Sequence, residues 1–239
     1  MDFLWIVAAF IAYFVKGLSG FANTLVLTSI IGFGSNNIKI SPVELVLGYP
    51  PNIFLVWQNR KQIKPKIVIP LALMVIAGCI PGVLLLKNIN AQAIKVVFGI
   101  LVILIGIEML LRNSGHLKLK ESKVFLILIG ILSGIFCGLF GVGALLAAYV
   151  GRFAKNSNEF KANMCAVFIV ENTFRIIVYS FLGIITSSTV KSSLILMPFM
   201  AIGLLVGIKS SSKLNDKVVM VIINILLILS GISLVALNV

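Results

Sequence analysis

Three stretches without a single charged residue constrain this chain more than any other feature. They are Ile67–Leu86, Val124–Gly151 and Val218–Val239. Each has the roughly 20 residues that a helix needs to cross about 30 Å of hydrocarbon. Of the 239 residues, 60% are hydrophobic and 11% are charged, which leaves more apolar surface than a water-soluble domain of this size can bury. The sequence therefore predicts an all-α integral membrane protein.

The formal charge of +13 is distributed in a way that indicates a membrane, and not a nucleic acid, as the partner. Fourteen of the 20 lysines and arginines fall in four short connections between apolar segments, which is typical of cytoplasmic loops. The fourteen are Arg60, Lys61, Lys64 and Lys66; Arg112, Lys118, Lys120 and Lys123; Arg152, Lys155 and Lys161; and Lys209, Lys213 and Lys217.

The positions of these connections favour a topology with two re-entrant hairpins. If residues 3–33 and 124–150 each crossed once, eight spans would result and the basic connections would divide between both faces. If each stretch instead turns back at a glycine cluster, all four connections share one face, opposite Lys39, Lys87, Lys95 and Lys191. Basic connections stay cytoplasmic, so both termini are expected outside. The first hairpin is too short for two full crossings of about 20 residues each, which favours arms that meet near the midplane.

Matching glycines indicate that the two halves arose by duplication. Gly78-x-x-x-Gly82 and Gly203-x-x-x-Gly207 lie 125 residues apart, and so do Gly106 and Gly231. Small-residue pairs also let helices approach closely, so any single pair is weak support. Each half carries five segments, an odd number, so the second half is predicted to be inverted relative to the first.

These observations give a complete expected topology. We expect a first repeat at residues 1–112, a basic cytoplasmic connector at 113–123 and a second repeat at 124–239. Full-length helices are predicted near residues 42–59, 66–87, 92–111, 161–184, 189–209 and 217–238, with re-entrant or broken hairpins near 3–34 and 124–150.

Glycine clusters at the two hairpin tips point to the functional centre. Irregular backbone inside a bilayer is tolerated only where protein or water satisfies its polar groups, so the tips are expected to face each other across a central cavity. A helix that restarts after glycines presents free N–H groups and the positive end of its dipole, which suit an anion. The alternative is that the glycines only allow tight packing. The candidate substrate-binding residues are Ser19, Asn23 and Thr24 at the first tip, and Gly141 and Gly143 at the second.

The segment Glu171-Asn172-Thr173-Phe174-Arg175 places two charges near the middle of an apolar helix. Ions at that depth cost a few kcal/mol and mark functional sites by default. Glu171 and Arg175 lie four residues apart on one face of the helix. They either neutralise each other, or Arg175 exchanges Glu171 for a substrate anion. Glu171 is also a candidate to carry a coupled proton, because burial favours the uncharged acid. Asn172 is included as a candidate binding residue.

Three further polar residues lie close to these segments. Lys16 precedes the first tip and either binds the anion or extends to the membrane interface. Asn52 follows the helix-bending pair Pro50-Pro51 and is expected to reach the cavity. Glu44, on the same helix, is expected near the outer surface.

An enzyme hypothesis rests on Gly17-Leu18-Ser19-Gly20, which has the G-x-S-G form found around the nucleophile of intramembrane serine proteases. A nucleophilic serine needs a base within hydrogen-bond reach. The single histidine, His116, lies in a charged connection, which leaves Lys16. An intramembrane serine hydrolase is thus a remote alternative, and no enzyme activity is expected. No metal or nucleotide motif occurs, so no cofactor is expected and transport would depend on gradients.

The glycine-rich segment Gly130–Gly143 resembles the opening of the second half in the TauE/SafE family of sulfite and organosulfonate exporters. Gly17-Leu18-Ser19-Gly20 resembles the opening of the first half, and the resemblance covers essentially the whole chain. Two departures stand out: Gly143-Ala144-Leu145 replaces a run of three glycines, and Phe21-Ala22-Asn23-Thr24 replaces a glycine run at the first tip.

The resemblance implies a multi-pass permease of the plasma membrane for small anions, often sulfur-containing, such as sulfite, sulfoacetate or another organosulfonate. With two inverted halves, it predicts a gradient-driven transporter with alternating access. A passive anion channel or facilitator, which would share the site without coupling, is the alternative. The expected partners are a small anionic substrate and the lipid bilayer.

Overall fold

Helices make up almost all of the computed structural model, which describes residues 3–31, 37–85, 91–113, 123–140 and 143–236. This part of the chain contains no β-strand, so the all-α prediction is confirmed. Its helices are α1 (Phe3–Ser19), α2 (Asn23–Ile31), α3 (Asn37–Gln58), α4 (Pro65–Leu85), α5 (Ala91–Asn113), α6 (Lys123–Phe140), α7 (Ala144–Phe153), α8 (Ser157–Phe181), α9 (Ser187–Ser212) and α10 (Asp216–Ala236), with a short 3-10 helix at Arg60–Gln62.

Four helices in the described residues are long and apolar enough to cross a membrane: Pro65–Gly82 of α4, α8, α9 and Asp216–Ser233 of α10. The α3 and α5 helices, of 22 and 23 residues, occupy the other two predicted crossings. The α8 helix begins four residues earlier than predicted, because the Asn156 side chain accepts the Glu159 N–H and caps its first turn.

Each half of the chain opens with one long and one short helix. The long arms, α1 and α6, have 17 and 18 residues, whereas the short arms, α2 and α7, have 9 and 10. A helix of about 10 residues covers roughly 15 Å, half of the hydrocarbon thickness. The short arms therefore cannot cross the membrane, as predicted for broken hairpins, and the second hairpin extends to Phe153 instead of ending at residue 150.

Helices of one half pack mainly on helices of the other. The closest pairs are α1 with α9, α4 with α6, α5 with α10, and α3 with α8. If each helix is replaced by its counterpart in the other half (α1 by α6, α2 by α7, and so on to α5 by α10, and the reverse), the same four pairs result. The two halves are interlocked in one helical bundle and do not form separate bodies.

The paired glycines lie where these helices touch. In α9, Gly203 and Gly207 pack against the backbone of Phe10 and Phe14 in α1, so closely that a methyl group at either glycine would collide with it. The matching glycines of α4 pack against α6 in the same way: Gly78 lies on the backbone of Ile131, and Gly82 lies on the backbone of Ile135. These two isoleucines follow Phe10 and Phe14 by the same 121 residues.

Three of the basic connections meet at one end of the bundle. The Lys64 ammonium forms an ion pair with Glu159 at 2.5 Å, and the Ser157 hydroxyl donates to the Asp216 carboxylate at 2.5 Å. These contacts join the connection after α3 to the connection before α8, and the connection before α8 to the connection after α9. An eight-span topology would place the connection after α3 on the face opposite to the other two. Most of the predicted connector at 113–123 lies outside the described residues.

Candidate functional site

The first hairpin tip is a tight turn with two left-handed residues. α1 ends at Ser19, and the backbone of Gly20 and Ala22 has φ values of +86° and +68° before α2 begins at Asn23. Gly20 adopts this conformation without steric cost, whereas a residue with a side chain rarely does. The turn brings the first residues of α2 back beside α1.

The hydroxyl of Ser19 is used within this turn. It lies 2.8 Å from the Val15 carbonyl oxygen and 3.0 Å from that of Phe21, and it accepts the Phe21 N–H at 3.3 Å. Ser19 is fully buried. Lys16, the base that a serine hydrolase would require, hydrogen-bonds Asn23 instead.

A chain of polar side chains runs from this tip into α3. The Lys16 ammonium, only 1% exposed, donates to Asn23 Oδ1 at 3.1 Å, and Asn23 Nδ2 donates to Glu44 Oε1 at 2.5 Å. The side chain of Thr24 also interacts with Glu44. Lys16 therefore points into the protein, not to an interface. The expectation for Glu44 was wrong: it is buried because the tip supplies its hydrogen-bond donors.

Polar atoms of this network pack closely against Gly48. A methyl group there would lie 3.1 Å from Glu44 Oε1, 3.3 Å from the Tyr13 hydroxyl and 3.5 Å from Asn23 Nδ2. The Tyr13 hydroxyl is buried beside Asn23 and Glu44 and forms no well-aligned hydrogen bond within the described residues. Buried hydroxyls are normally satisfied, so this group is available to a bound molecule or a water.

Arg175 and Glu171 form the second charged group of the site. The Arg175 guanidinium, 1% exposed, donates to Glu171 Oε1 at 3.2 Å, to Ser41 Oγ at 2.9 Å and to the Tyr179 hydroxyl at 3.5 Å. The Tyr179 ring centroid lies 5.1 Å from the guanidinium carbon, which adds a cation–π contact. The expected Glu171–Arg175 pair is therefore formed, and Arg175 Nε is left without a hydrogen-bond partner in the described chain.

The two charged groups belong to one network. Glu44 interacts electrostatically with both Lys16 and Arg175, and Lys16 also interacts with Glu171. Two buried cations and two buried carboxylates cancel formally. No described cation lies within ion-pair distance of Glu44, whose direct partners are the neutral Asn23 and Thr24.

Phe168 lies between the two hairpin tips. Its ring centroid is 5.2 Å from the Lys16 ammonium, and its edge fills the space where Gly143 would carry a side chain. Gly143 caps the start of α7, whose residues Ala144–Val150 are all buried. The Phe168 ring therefore lies between Lys16 and Gly143, where the sequence predicted a central cavity between the two tips. Gly141, the other glycine predicted at the second tip, lies outside the described residues.

The remaining predicted residues lie on α3 and α8, which pack against each other. Asn52 is buried two turns after Glu44, and its Oδ1 has no hydrogen-bond partner in the described chain. Asn172 is buried beside Glu171. A 2.8 Å hydrogen bond between the Tyr49 and Thr173 hydroxyls links the two helices at this level.

Sequence reasoning missed Glu44, Tyr13 and Ser41 as members of the site. A signal for the first was present, because Glu44, Gly48 and Asn52 recur every four residues and so share one face of a helix. Tyr13 and Ser41 come from α1 and α3 and meet the charges only through packing between helices, which no local pattern encodes.

Comparison with known proteins agrees with this architecture. The family model described as "Sulfite exporter TauE/SafE" matches residues 5–234, which is nearly the whole chain. No curated protein and no solved structure gives a significant match. The protein therefore belongs to the TauE/SafE sulfite exporter family of membrane transporters.

Proposed function

We propose that this protein is a gradient-driven transporter of small sulfur-containing anions, such as sulfite, sulfoacetate or another organosulfonate, in the cell membrane. Membership of the exporter family supports transport. The observation that carries the proposal is the buried network of Lys16, Glu44, Glu171 and Arg175, because ions inside a membrane protein are costly and are retained for function.

Arg175 and Lys16 would bind the anion. Both ammonium and guanidinium groups donate hydrogen bonds to sulfonate oxygens, and Arg175 Nε is an unused buried donor. Asn23, Asn172 and the Tyr13 hydroxyl would supply neutral donors. Arg175 donates a hydrogen bond to Glu171, and we propose that the arriving anion replaces Glu171 as its acceptor.

The formal neutrality of the network explains why binding would need a coupled ion. A monovalent anion added to two cations and two carboxylates leaves one uncompensated negative charge in a site of low polarity, and a dianion such as sulfoacetate leaves two. Uptake of a proton by Glu171 or Glu44 removes one of these charges, and protonation of both carboxylates removes two. The anion and a proton would therefore occupy the site together, which allows a pH gradient to drive transport.

Alternating access would use the two halves as opposed units. The symmetric pairing of helices and the matched packing of Gly78 and Gly203 support an inverted duplication divided at the connector 113–123. Phe168, which separates the two tips, would have to move for an anion to pass from one side to the other.

Thermal unfolding of the purified protein with added anions tests the binding site. A ligand that binds only the folded protein raises Tm, by an amount equivalent to about 2.7 kcal/mol at 100 times its Kd. Sulfite or sulfoacetate is expected to raise the Tm of the wild type and of the exposed-site control R60Q, but not that of R175Q. Equal stabilisation of all three proteins would refute the assignment of Arg175.

A further inference from the structure

A cavity of about 580 Å³ lies at the end of the bundle where the basic connections meet. Its walls come from the ends of α3 and α9 and the beginnings of α8 and α10, and most of its lining side chains are polar. Gln58, Asn158 and Ser212 are exposed at its rim. Ligand-binding cavities commonly have volumes of about 300–1,000 Å³, so this one can hold a small organic anion with its water.

Lys161 forms part of the cavity wall and is almost completely buried. Its ammonium donates to Ser211 Oγ at 2.6 Å and to the Gly17 carbonyl oxygen at 3.3 Å, both neutral acceptors. It forms no ion pair with any residue that the structure describes. The sequence-based grouping of Lys161 with the loop cations was wrong, because α8 starts before it and carries it into the bundle.

The same lysine also touches the first hairpin tip. A methyl group at Gly20 would lie 2.8 Å from Lys161 Cγ. The Gly17 carbonyl oxygen, which accepts a hydrogen bond from the Lys161 ammonium, belongs to the residue directly after Lys16. Lys161 and Lys16 therefore contact the same tip, Lys161 from the cavity and Lys16 from the central network.

The carboxylate of Asp216 also lines the cavity and offsets the positive charge of Lys161. Asp216 accepts the Ser157 N–H at 3.3 Å and the Ser157 hydroxyl, at the positive end of the α8 dipole. Asp216 also interacts electrostatically with Lys161. The Asp216 carboxylate weakens the attraction of the cavity for a bound anion, but it forms no ion pair with Lys161.

We propose that this cavity is an anion-binding vestibule, in which Lys161 holds a small sulfonate or sulfite ion before it passes the first hairpin tip to Lys16. The inference rests on the proposed function and adds a second binding station to it. The opposing charges of Lys161 and Asp216 predict opposite effects when each is neutralised.

Cysteine labelling at the rim measures this electrostatic field without any transport. Asn158→Cys would be treated with an anionic and a cationic methanethiosulfonate reagent of similar size, since the three native cysteines are buried. The ratio of anionic to cationic rates is expected to fall about fivefold in K161Q and to rise by a similar factor in D216N. K161R is expected to keep the wild-type ratio, and K191Q, which neutralises an exposed lysine far from the cavity, serves as the control.

Protection by sulfoacetate then tests occupancy. The anion is expected to slow labelling of Asn158→Cys in the wild type and in D216N, and to protect K161Q about tenfold less well. An unchanged rate ratio and unchanged protection in K161Q would refute the vestibule. Absence of sulfoacetate flux in wild-type proteoliposomes would instead refute the proposed function, so the two failures are distinguishable.

Discussion

Arg175 illustrates, at the scale of a single residue, how a charge is kept inside this membrane protein. Its guanidinium has three hydrogen-bond partners from α3 and α8 and a ring beneath it, which together replace the water that burial removed. The sequence pattern predicted the partner Glu171, because residues four apart share a helical face. It could not predict Ser41, which lies 134 residues away in the chain.

Replacing Arg175 is expected to remove anion binding. R175Q loses a charged donor, and hydrogen bonds to charged groups contribute about 1.5–3 kcal/mol, so flux of sulfoacetate should fall about 10- to 100-fold. R175K keeps the charge without the planar fork and should lose less. Radiolabelled flux in proteoliposomes measures both variants, with R60Q as the exposed control. Normal flux in folded R175Q would contradict the proposed role.

Replacing Glu44 is expected to separate transport from its driving force. E44Q resembles the protonated acid in shape and neutrality, and its amide oxygen still accepts the Asn23 hydrogen bond. We expect E44Q to exchange sulfoacetate across the membrane but to accumulate none when a pH gradient is imposed. E171Q neutralises the other buried carboxylate of the network and is measured in the same way. If E44Q and E171Q both accumulate the anion as the wild type does, neither carboxylate carries the proton.

At the scale of helices, close approach at glycines holds the two halves together. Gly207 lies against the backbone of Phe14 and Gly17, so α1 and α9 meet with almost no side chain between them. The sequence predicted this contact type from the small-x-x-x-small spacing. It also predicted all six long helices, because apolar segments of membrane length with charges mainly near their ends have few alternatives.

A larger side chain at Gly207 should force these helices apart. Overpacking costs about 1–3 kcal/mol in a well-packed interior, and here the obstacle is backbone, which cannot rotate away. G207L is therefore expected to unfold at a lower temperature than the wild type in detergent. V206L, which adds volume to an exposed neighbour on the same helix, is the control. An equal Tm for G207L and V206L would contradict the observed packing.

The surroundings of Glu44 could not be predicted from the sequence. Glu44 was expected near the outer surface, whereas the first hairpin tip covers it and supplies its hydrogen-bond donor, Asn23. The hairpin tips were recognisable from their glycines. The aromatic ring between them was not, because Phe168 belongs to an apolar run in which nothing distinguishes it from its neighbours.

At the scale of the whole molecule, one end of the described structure carries three of the basic connections and the cavity that we propose as a vestibule. The positive-inside rule predicts that this end faces the cytoplasm. In intact cells, a membrane-impermeant thiol reagent is therefore expected to label Ser188→Cys, which is exposed in the first turn of α9 at the opposite end, and to leave Asn59→Cys unlabelled until the cells are opened. Labelling of Asn59→Cys alone in intact cells would reverse the assigned orientation.

We propose that the buried, formally neutral charge network moves an anion together with a proton. The most direct test of this proposal is uptake of radiolabelled sulfoacetate into proteoliposomes with a pH gradient imposed in either direction. We expect that one direction of the gradient raises the internal concentration above the external one, and that R175Q slows this accumulation about 10- to 100-fold. Equilibration to equal concentrations whatever the gradient would contradict coupling and identify a passive channel instead.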